Sequence, residues 1–261
     1  MLNVRGPLGP NFGAVDLERS VGNSNYNSLE VSVRHVSGRA QILAGYTYGK
    51  SLDISSSIAD ELVPGNDHRT YGLSAFDIEH NFVASYLYHL PIDEMLRAKN
   101  RLTEGWIVSG IVHFSTGLPV TMQNSADTSL LGTQPNGVNP FGVDLPQAQP
   151  GPLQLNHNPR NGNPYFNTSL FSLPPLGQLG NTVPHYFFGP GLDNFDMALE
   201  KDVRVTEGAK VELRIEAFNV FNHAQFFGPT SVSGDVNSDN FGQVTSAEPP
   251  RVMQAAMKFA F

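Results

Sequence analysis

The last eleven residues, Arg251 to Phe261, read RVMQAAMKFAF and alternate in character along the chain. Met253, Ala255, Met257, Phe259 and Phe261 fall on one face; Gln254, Ala256, Lys258 and Ala260 fall mostly on the other. A period of two with one apolar face specifies a β-strand. Soluble domains rarely stop on an exposed aromatic residue in mid-strand, because a frayed apolar terminus invites aggregation. A transmembrane β-barrel does stop this way, since its last strand closes the wall and lipid covers the outer face. At ~3.3 Å per residue and a tilt of about 40°, a strand of this length rises roughly 28 Å, against an apolar band of ~25 Å.

The same period recurs upstream. Asn25 to Val36 sets Leu29, Val31 and Val33 against Ser28, Glu30, Ser32 and Arg34, and the turn Ser37-Gly38-Arg39 leads into Ala40 to Lys50, with Ile42, Ala44, Tyr46 and Tyr48 in phase. These two runs predict a hairpin. Ile78 to Leu90 keeps Phe82, Ala84, Tyr86, Tyr88 and Leu90 in phase; Trp106 to Met122 follows as a less regular strand, interrupted near Gly117 and Pro119. Asp193 to Val205 places Phe195, Met197, Leu199 and Val203 opposite Asp196, Glu200, Asp202 and Arg204. After Thr206-Glu207-Gly208, Lys210 to Phe221 sets Val211, Leu213, Ile215 and Ala217 against Glu212, Arg214 and Glu216.

The connections alternate in length. Ser51 to Asp77, with a turn at Pro64-Gly65-Asn66, and Asn222 to Pro250 read as polar loops, and Pro91 to Gly105 is charge-rich with room for one helical turn. Gln123 to Gly191 is rich in Pro, Asn, Gly and Gln, shows little periodicity and reads as a loop without regular structure. Loops of that length are uncommon in compact soluble domains, whereas barrels carry long loops on one side and short turns on the other. If Phe261 lies at the short-turn side, every long connection falls on the opposite side. Aromatic residues also sort by height. Tyr46, Tyr48, Phe114 and Phe221 sit toward the long-loop ends, and Tyr86, Tyr88, Trp106, Phe259 and Phe261 toward the short-turn ends, as two membrane interfaces select. The predicted fold is all-β: about seven strands of an antiparallel up-and-down transmembrane β-barrel. Single-chain barrels have an even number of strands, so an odd count predicts a portion of a larger wall, an open curved sheet with edges at Asn25 to Val36 and Arg251 to Phe261.

Composition is compatible with this. Charged residues make up 15% and apolar residues 40%, and no apolar run approaches the ~20 residues a membrane helix needs. Zero cysteines suit an oxidising compartment, and a net charge of −8 argues against nucleic acid as a partner. Met1 is followed by LNVRGPLGPNFG, which has neither the basic region nor the apolar core of a signal peptide. A further N-terminal part is therefore expected.

A terminal Phe with apolar residues at every second position before it resembles the assembly signal of bacterial outer-membrane proteins. Several blocks together resemble the TonB-dependent outer-membrane receptor family, most closely its Oar-like branch with a very large barrel. They are Asn25-Tyr26-Asn27-Ser28-Leu29, Gly45 to Ser51 (GYTYGKS), Asp77 to Val83 (DIEHNFV), Gly105 to Gly110 (GWIVSG), Glu216 to His223 (EAFNVFNH) and the terminal strand introduced by Pro250-Arg251, in order over nearly the whole chain. The resemblance implies that residues 1–261 are the C-terminal part of an outer-membrane β-barrel that takes up or exports a substrate across the bacterial outer membrane. It places the plug, the N-terminal domains and the TonB contact outside this chain. Implied partners are outer-membrane lipid, the barrel-assembly machinery acting on Met257, Phe259 and Phe261, the remaining barrel strands and plug, and TonB through the absent region.

The charged residues Glu30, Arg34, Glu200, Arg204, Glu212, Arg214 and Glu216 are expected to face the lumen, where pairing across strands is favoured over contact with a substrate. Asp235 to Asn240 carries oxygen side chains at alternate positions, but it lacks the Gly of a calcium loop at the sixth position and has Ser246 where a bidentate Glu belongs, so a polar turn is the expected reading. His68, His80, His89, His113 and His223 have no metal-ligand spacing, and Gly189-Pro190-Gly191 reads as a turn, not a phosphate loop. Neither catalysis nor a cofactor is expected. Two alternatives have different physics: a soluble, secreted β-sandwich binding module, which would pack its apolar faces against each other, and a small independent porin- or adhesin-like barrel, which would need at least one more strand.

Overall fold

The computed structural model describes residues 19–57, 60, 62–63, 66–126, 128–129 and 144–261. The segment following Met1, and Pro64 and Gly65 of the expected turn, lie outside the described residues. The strands are β1 (Ser24–Ser37), β2 (Ala40–Asp53), β3 (Gly72–Leu73), β4 (His80–His89), β5 (Trp106–Ser115), β6 (Pro119–Thr121), β7 (Gln147–Ala148), β8 (Phe171–Ser172), β9 (His185–Phe188), β10 (Leu192–Arg204), β11 (Lys210–Phe218) and β12 (Val252–Ala260). Seven long ones form a single antiparallel meander in the order β1-β2-β4-β5-β10-β11-β12, with β3 added to the end of β2. They do not divide into the two face-packed sheets of a sandwich. No pairing joins β1 to β12 among the described residues, so the sheet is open, as expected for a portion of an up-and-down barrel.

The register explains why the alternating sequences form one wall. Residues directly opposite each other in an antiparallel pair share a face. One row runs Val33, Ala44, Ala84, Val112, Phe195; another runs Ile42, Tyr86, Gly110, Met197, Ala217, Met253. All the apolar phases therefore coincide on one side of the sheet, and the polar phases on the other. Gly110 is needed in its row: a Cβ there would lie 2.7 Å from Tyr86 Oη, so its absence lets the Tyr86 ring lie against β5. The single helical turn, α1 (Ile92–Met95), stands where the charge-rich connection predicts one.

Two strand ends differ from the sequence expectation. β5 stops at Ser115; Pro119–Thr121 leaves the wall and pairs with His185–Phe188 in a separate small sheet. β11 stops at Phe218 and does not reach Phe221, because Asn219 and Asn222 adopt φ of 53° and 55°, left-handed values that no strand can contain.

The larger correction concerns the loops. Among the described residues, only Ala198 and Ala217 of the buried apolar side chains belong to the seven wall strands. The core lies beyond the wall, at its long-loop end. There Val120, Met122, Tyr165, Phe166, Phe171, Phe187 and Val232 pack together, with Phe241 and Val244 against them. Phe166 is its centre, with edge-on ring contacts to Phe187 at 4.9 Å, Phe241 at 5.3 Å and Phe171 at 5.5 Å. Gln123 to Gly191 is thus not without regular structure; it carries short strands and 3-10 turns that present this core. Asn222 to Pro250 joins it through the bridge Gln123–Asp235 and is itself closed by the bridge Val232–Val244.

The third long connection, between β2 and β4, is fastened underneath. The Arg69 guanidinium donates to the Thr182 carbonyl at 3.0 Å and to that of Gly180. At the rim of the wall a buried polar joint forms: Ser51 N–H donates to Asp77 Oδ1 at 2.8 Å, the Ser51 and Ser74 hydroxyls pair at 2.8 Å, and Thr70 Oγ1 donates to the Ile54 carbonyl at 2.7 Å. Asp77 Oδ2 has no hydrogen-bond partner among the described residues. Burial pushes the Asp77 carboxyl above its ordinary range, and the Ser51 N–H only partly opposes this. The neutral acid is thus favoured in the fold, and stability falls as pH rises from the ordinary aspartate value of about 4 through the raised pKa. Asp77→Asn should abolish that slope. Amide protection factors at Ser51 and Ser74, measured against pH in both proteins, check this; a slope that survives the substitution contradicts it.

Candidate functional site

The chemistry of the wall is carried by its two faces. On the polar face, β10 to β12 form a ladder of charges. Arg214 lies 2.5 Å from Glu216 and 3.7 Å from Glu200; Lys210 pairs with Glu212 and stands 3.8 Å from Asp202; Lys258 reaches Glu212 at 3.5 Å. Gln254 donates to Glu216. Of the residues singled out from sequence, Glu200, Glu212, Arg214 and Glu216 are therefore brought together, and Arg204 sits on the same face opposite Lys210. Glu30 and Arg34 occupy the polar face of β1, at the far edge of the sheet, and make no ion pair among the described residues. Between the two groups the polar face changes character: Leu43, Val83 and Ile111 project from β2, β4 and β5 alongside Ser85 and His113. Each ladder pair is half-exposed and screened by solvent, so the ladder sets register more than it adds stability.

On the apolar face, aromatic rings run across the long-loop end. Tyr48 meets His80 at 5.2 Å, Phe82 meets Phe114 at 6.3 Å, Phe114 meets Phe195 at 5.3 Å, and Phe195 meets Phe221 at 5.0 Å. Sequence phasing placed Tyr48, Phe114 and Phe221 at this height; the run of contacts from Phe82 through Phe114 and Phe195 to Phe221 appears only once the register is known. At the short-turn end, Lys201 interrupts the apolar phase between Leu199 and Val203. Its ammonium sits 5.1 Å from the centre of the Trp106 ring and donates to the Glu104 carbonyl, so it is satisfied while almost fully buried. A lysine in an otherwise apolar phase was the signal available in the sequence. Met257 and Phe259 lie opposite Leu213 and Val211, and the Phe259 and Phe261 rings stand 5.9 Å apart.

The remaining candidates have local explanations. Asp235 Oδ1 accepts from the Ser125 and Asn237 main-chain N–H groups at 3.2 and 3.0 Å, which makes it a turn-former. Among the described residues no three acidic or histidine side chains converge as a metal set. His80 bonds to Tyr46, His113 to Asn81 and His223 to Asp193. A shallow cleft of about 380 Å³ opens between the loops, lined by His157, Arg160, Tyr165, Asp193, His223 and Gln225 among others. Gln225 clamps the Asp193 main chain at both N–H and C=O, and burial pushes the Tyr165 phenol up to about 12, so the walls of the cleft are fixed and its phenol is neutral.

A family profile described as an outer membrane beta barrel domain matches residues 2–254. The chain belongs to that family. An outer membrane beta barrel domain resides in the outer membrane and forms barrel wall there, which assigns the apolar face of the meander to lipid. Comparison with curated proteins and with solved structures finds no match.

Adjacent residues of β11 provide a direct test of the facing. Ile215 lies on the apolar face and Glu216 on the polar one. Ile215→Arg should cost ~2–4 kcal/mol if it lies near mid-membrane. Glu216→Arg loses its pairing with Arg214 and should cost much less, because that pairing is screened by solvent. Denaturant titration of the two variants in lipid vesicles measures the difference, and equal costs would contradict the facing.

Proposed function

We propose that this outer membrane beta barrel domain is the C-terminal wall of a bacterial TonB-dependent transporter of the Oar-like kind, and that its role is structural and conductive, not catalytic. The observation that carries the reading is where burial occurs. Among the described residues, the seven-strand wall buries no apolar side chain larger than alanine and the packed apolar core lies in the loops, as suits a wall bathed in lipid and capped at one end. Two edges without a partner strand among the described residues, β1 and β12, support a wall continued by further strands, since unsatisfied main chain inside lipid costs several kcal/mol per group. The six sequence blocks in order support the transporter branch.

In this reading Glu30, Arg34, Glu200, Arg204, Glu212, Arg214 and Glu216 face the lumen, and the ladder on β10 to β12 holds register while the loop cap meets the exterior. Met257, Phe259 and Phe261 form the edge that the barrel-assembly machinery recognises. A plug supplied from elsewhere in the protein gates the pore and contacts TonB. Two experiments test this. The chain purified alone should give neither a heat-modifiable monomer nor stepwise conductance in planar bilayers; both together would favour a small independent barrel. In cells producing the whole gene product, in-cell cross-linking followed by purification should recover TonB; recovery of assembly factors without TonB would contradict the transporter assignment.

A further inference from the structure

The connection between β4 and β5 holds apolar side chains outward on a rigid frame. Leu102 is 80% exposed, Met95 77% and Leu96 65%, although the segment around them is well bonded. Leu102 N–H donates to Asn100 Oδ1 at 2.9 Å, and Thr103 N–H donates to the Asn100 carbonyl at 3.1 Å. Trp106 Nε1 donates to the Leu102 carbonyl at 2.7 Å, and Asp202 N–H donates to the Gly105 carbonyl at 2.8 Å. Arg101 reaches the Val205 carbonyl at 3.3 Å, and Glu94 pairs with Arg39 of the neighbouring turn, which holds the Glu94 carboxyl below the usual carboxylate range. A frame tied to three neighbours cannot fold its leucines away from the surroundings.

Exposure of this kind in water loses about 25 cal/mol for each Å² of apolar surface left uncovered. The place of the connection in the wall supplies a cover. Trp106, which is bonded to Leu102, ends the apolar face of β5, and Tyr88 ends that of β4 beside it. The connection therefore continues the lipid-facing surface at its short-turn rim. The side chains of Arg97 and Lys99 are exposed between Leu96 and Leu102 and make no hydrogen bond or close ion pair among the described residues, although Lys99 is near enough to help hold the Glu94 carboxyl low. Apolar side chains interleaved with unpaired cations fit the boundary between acyl chains and phosphate headgroups.

We infer that the β4–β5 connection is an interfacial anchor: Met95, Leu96 and Leu102 enter the acyl boundary of the leaflet on the short-turn side, and Arg97 and Lys99 bind phospholipid phosphates. The inference rests on the wall's apolar face meeting lipid. Because the chain has no cysteine, single substitutions Met95→Cys, Leu102→Cys, Ile215→Cys and Glu207→Cys each carry one fluorophore. The whole gene product, with any cysteine outside these residues replaced by serine, is placed in phosphatidylethanolamine–phosphatidylglycerol vesicles bearing nitroxide either at the headgroup or deep in the acyl chain. Headgroup nitroxide should quench the labels at 95 and 102 several-fold more than the label at 207, and acyl nitroxide should quench the label at 215. Adding Arg97→Glu and Lys99→Glu should reduce the quenching at 102 several-fold. Labels at 95 and 102 as unquenched as that at 207, with 215 quenched, overturn the anchor and leave the wall intact. No quenching at 215 overturns the wall and the anchor with it. Quenching at 102 unchanged by the two charge reversals overturns the phosphate contact.

Discussion

The main-chain hydrogen-bond ladder from β1 to β12 is the interaction on which everything else in this protein depends. Each interior strand is paired with a neighbour on both sides, which satisfies its main-chain N–H and C=O groups over the paired lengths. This frees the side chains from having to build a core. One face can be apolar from edge to edge and the other polar, with no second layer packed on either. In a soluble protein such a sheet would collapse onto something; in the outer membrane the lipid is that layer. The same ladder makes the two edges the weakest places in the structure.

The loops obey the opposite rule. Beyond the membrane the chain meets water again, and there a conventional core returns, centred on Phe166 and shared between connections far apart in sequence. The polar joint of Ser51, Ser74 and Asp77 welds that cap to the rim of the wall, and Arg69 ties its lower loop to its upper one. The protein thus has two stabilising regimes in series: hydrogen-bonded wall with lipid as solvent, then packed cap with water as solvent. The aromatic row from Tyr48 to Phe221 stands at the boundary between them.

The wall was legible in the sequence because a half-exposed strand writes its facing into every second residue. Leu213, Ile215 and the intervening Glu212, Arg214 and Glu216 state their sides without reference to any partner. The cap was not legible. Val120, Phe166, Phe187 and Val232 are scattered through Pro- and Gly-rich stretches with no period, and they become a core only through contacts across long separations. The end of β11 was missed for a local reason: Asn219 and Asn222 break the strand by taking left-handed conformations, while Val220 and Phe221 prolong the apolar appearance. Of the charged candidates, Arg214 meets Glu200 across neighbouring strands and Glu216 along its own, and Glu212 takes Lys210 and Lys258, whereas Lys201 needed its Trp106 partner to be understood.

The central claim is that the apolar face meets lipid along its whole width while the polar face meets water. Spin labels placed one at a time from Lys210 to Phe218 in the membrane-inserted chain test this most directly, by their collision rates with dissolved oxygen and with a water-soluble nickel complex. The account predicts two oscillations of period two in opposite phase, with oxygen highest at Val211, Leu213, Ile215 and Ala217 and nickel highest at Glu212, Arg214 and Glu216. Equal nickel access on both faces, or protection of both from either reagent, would contradict it.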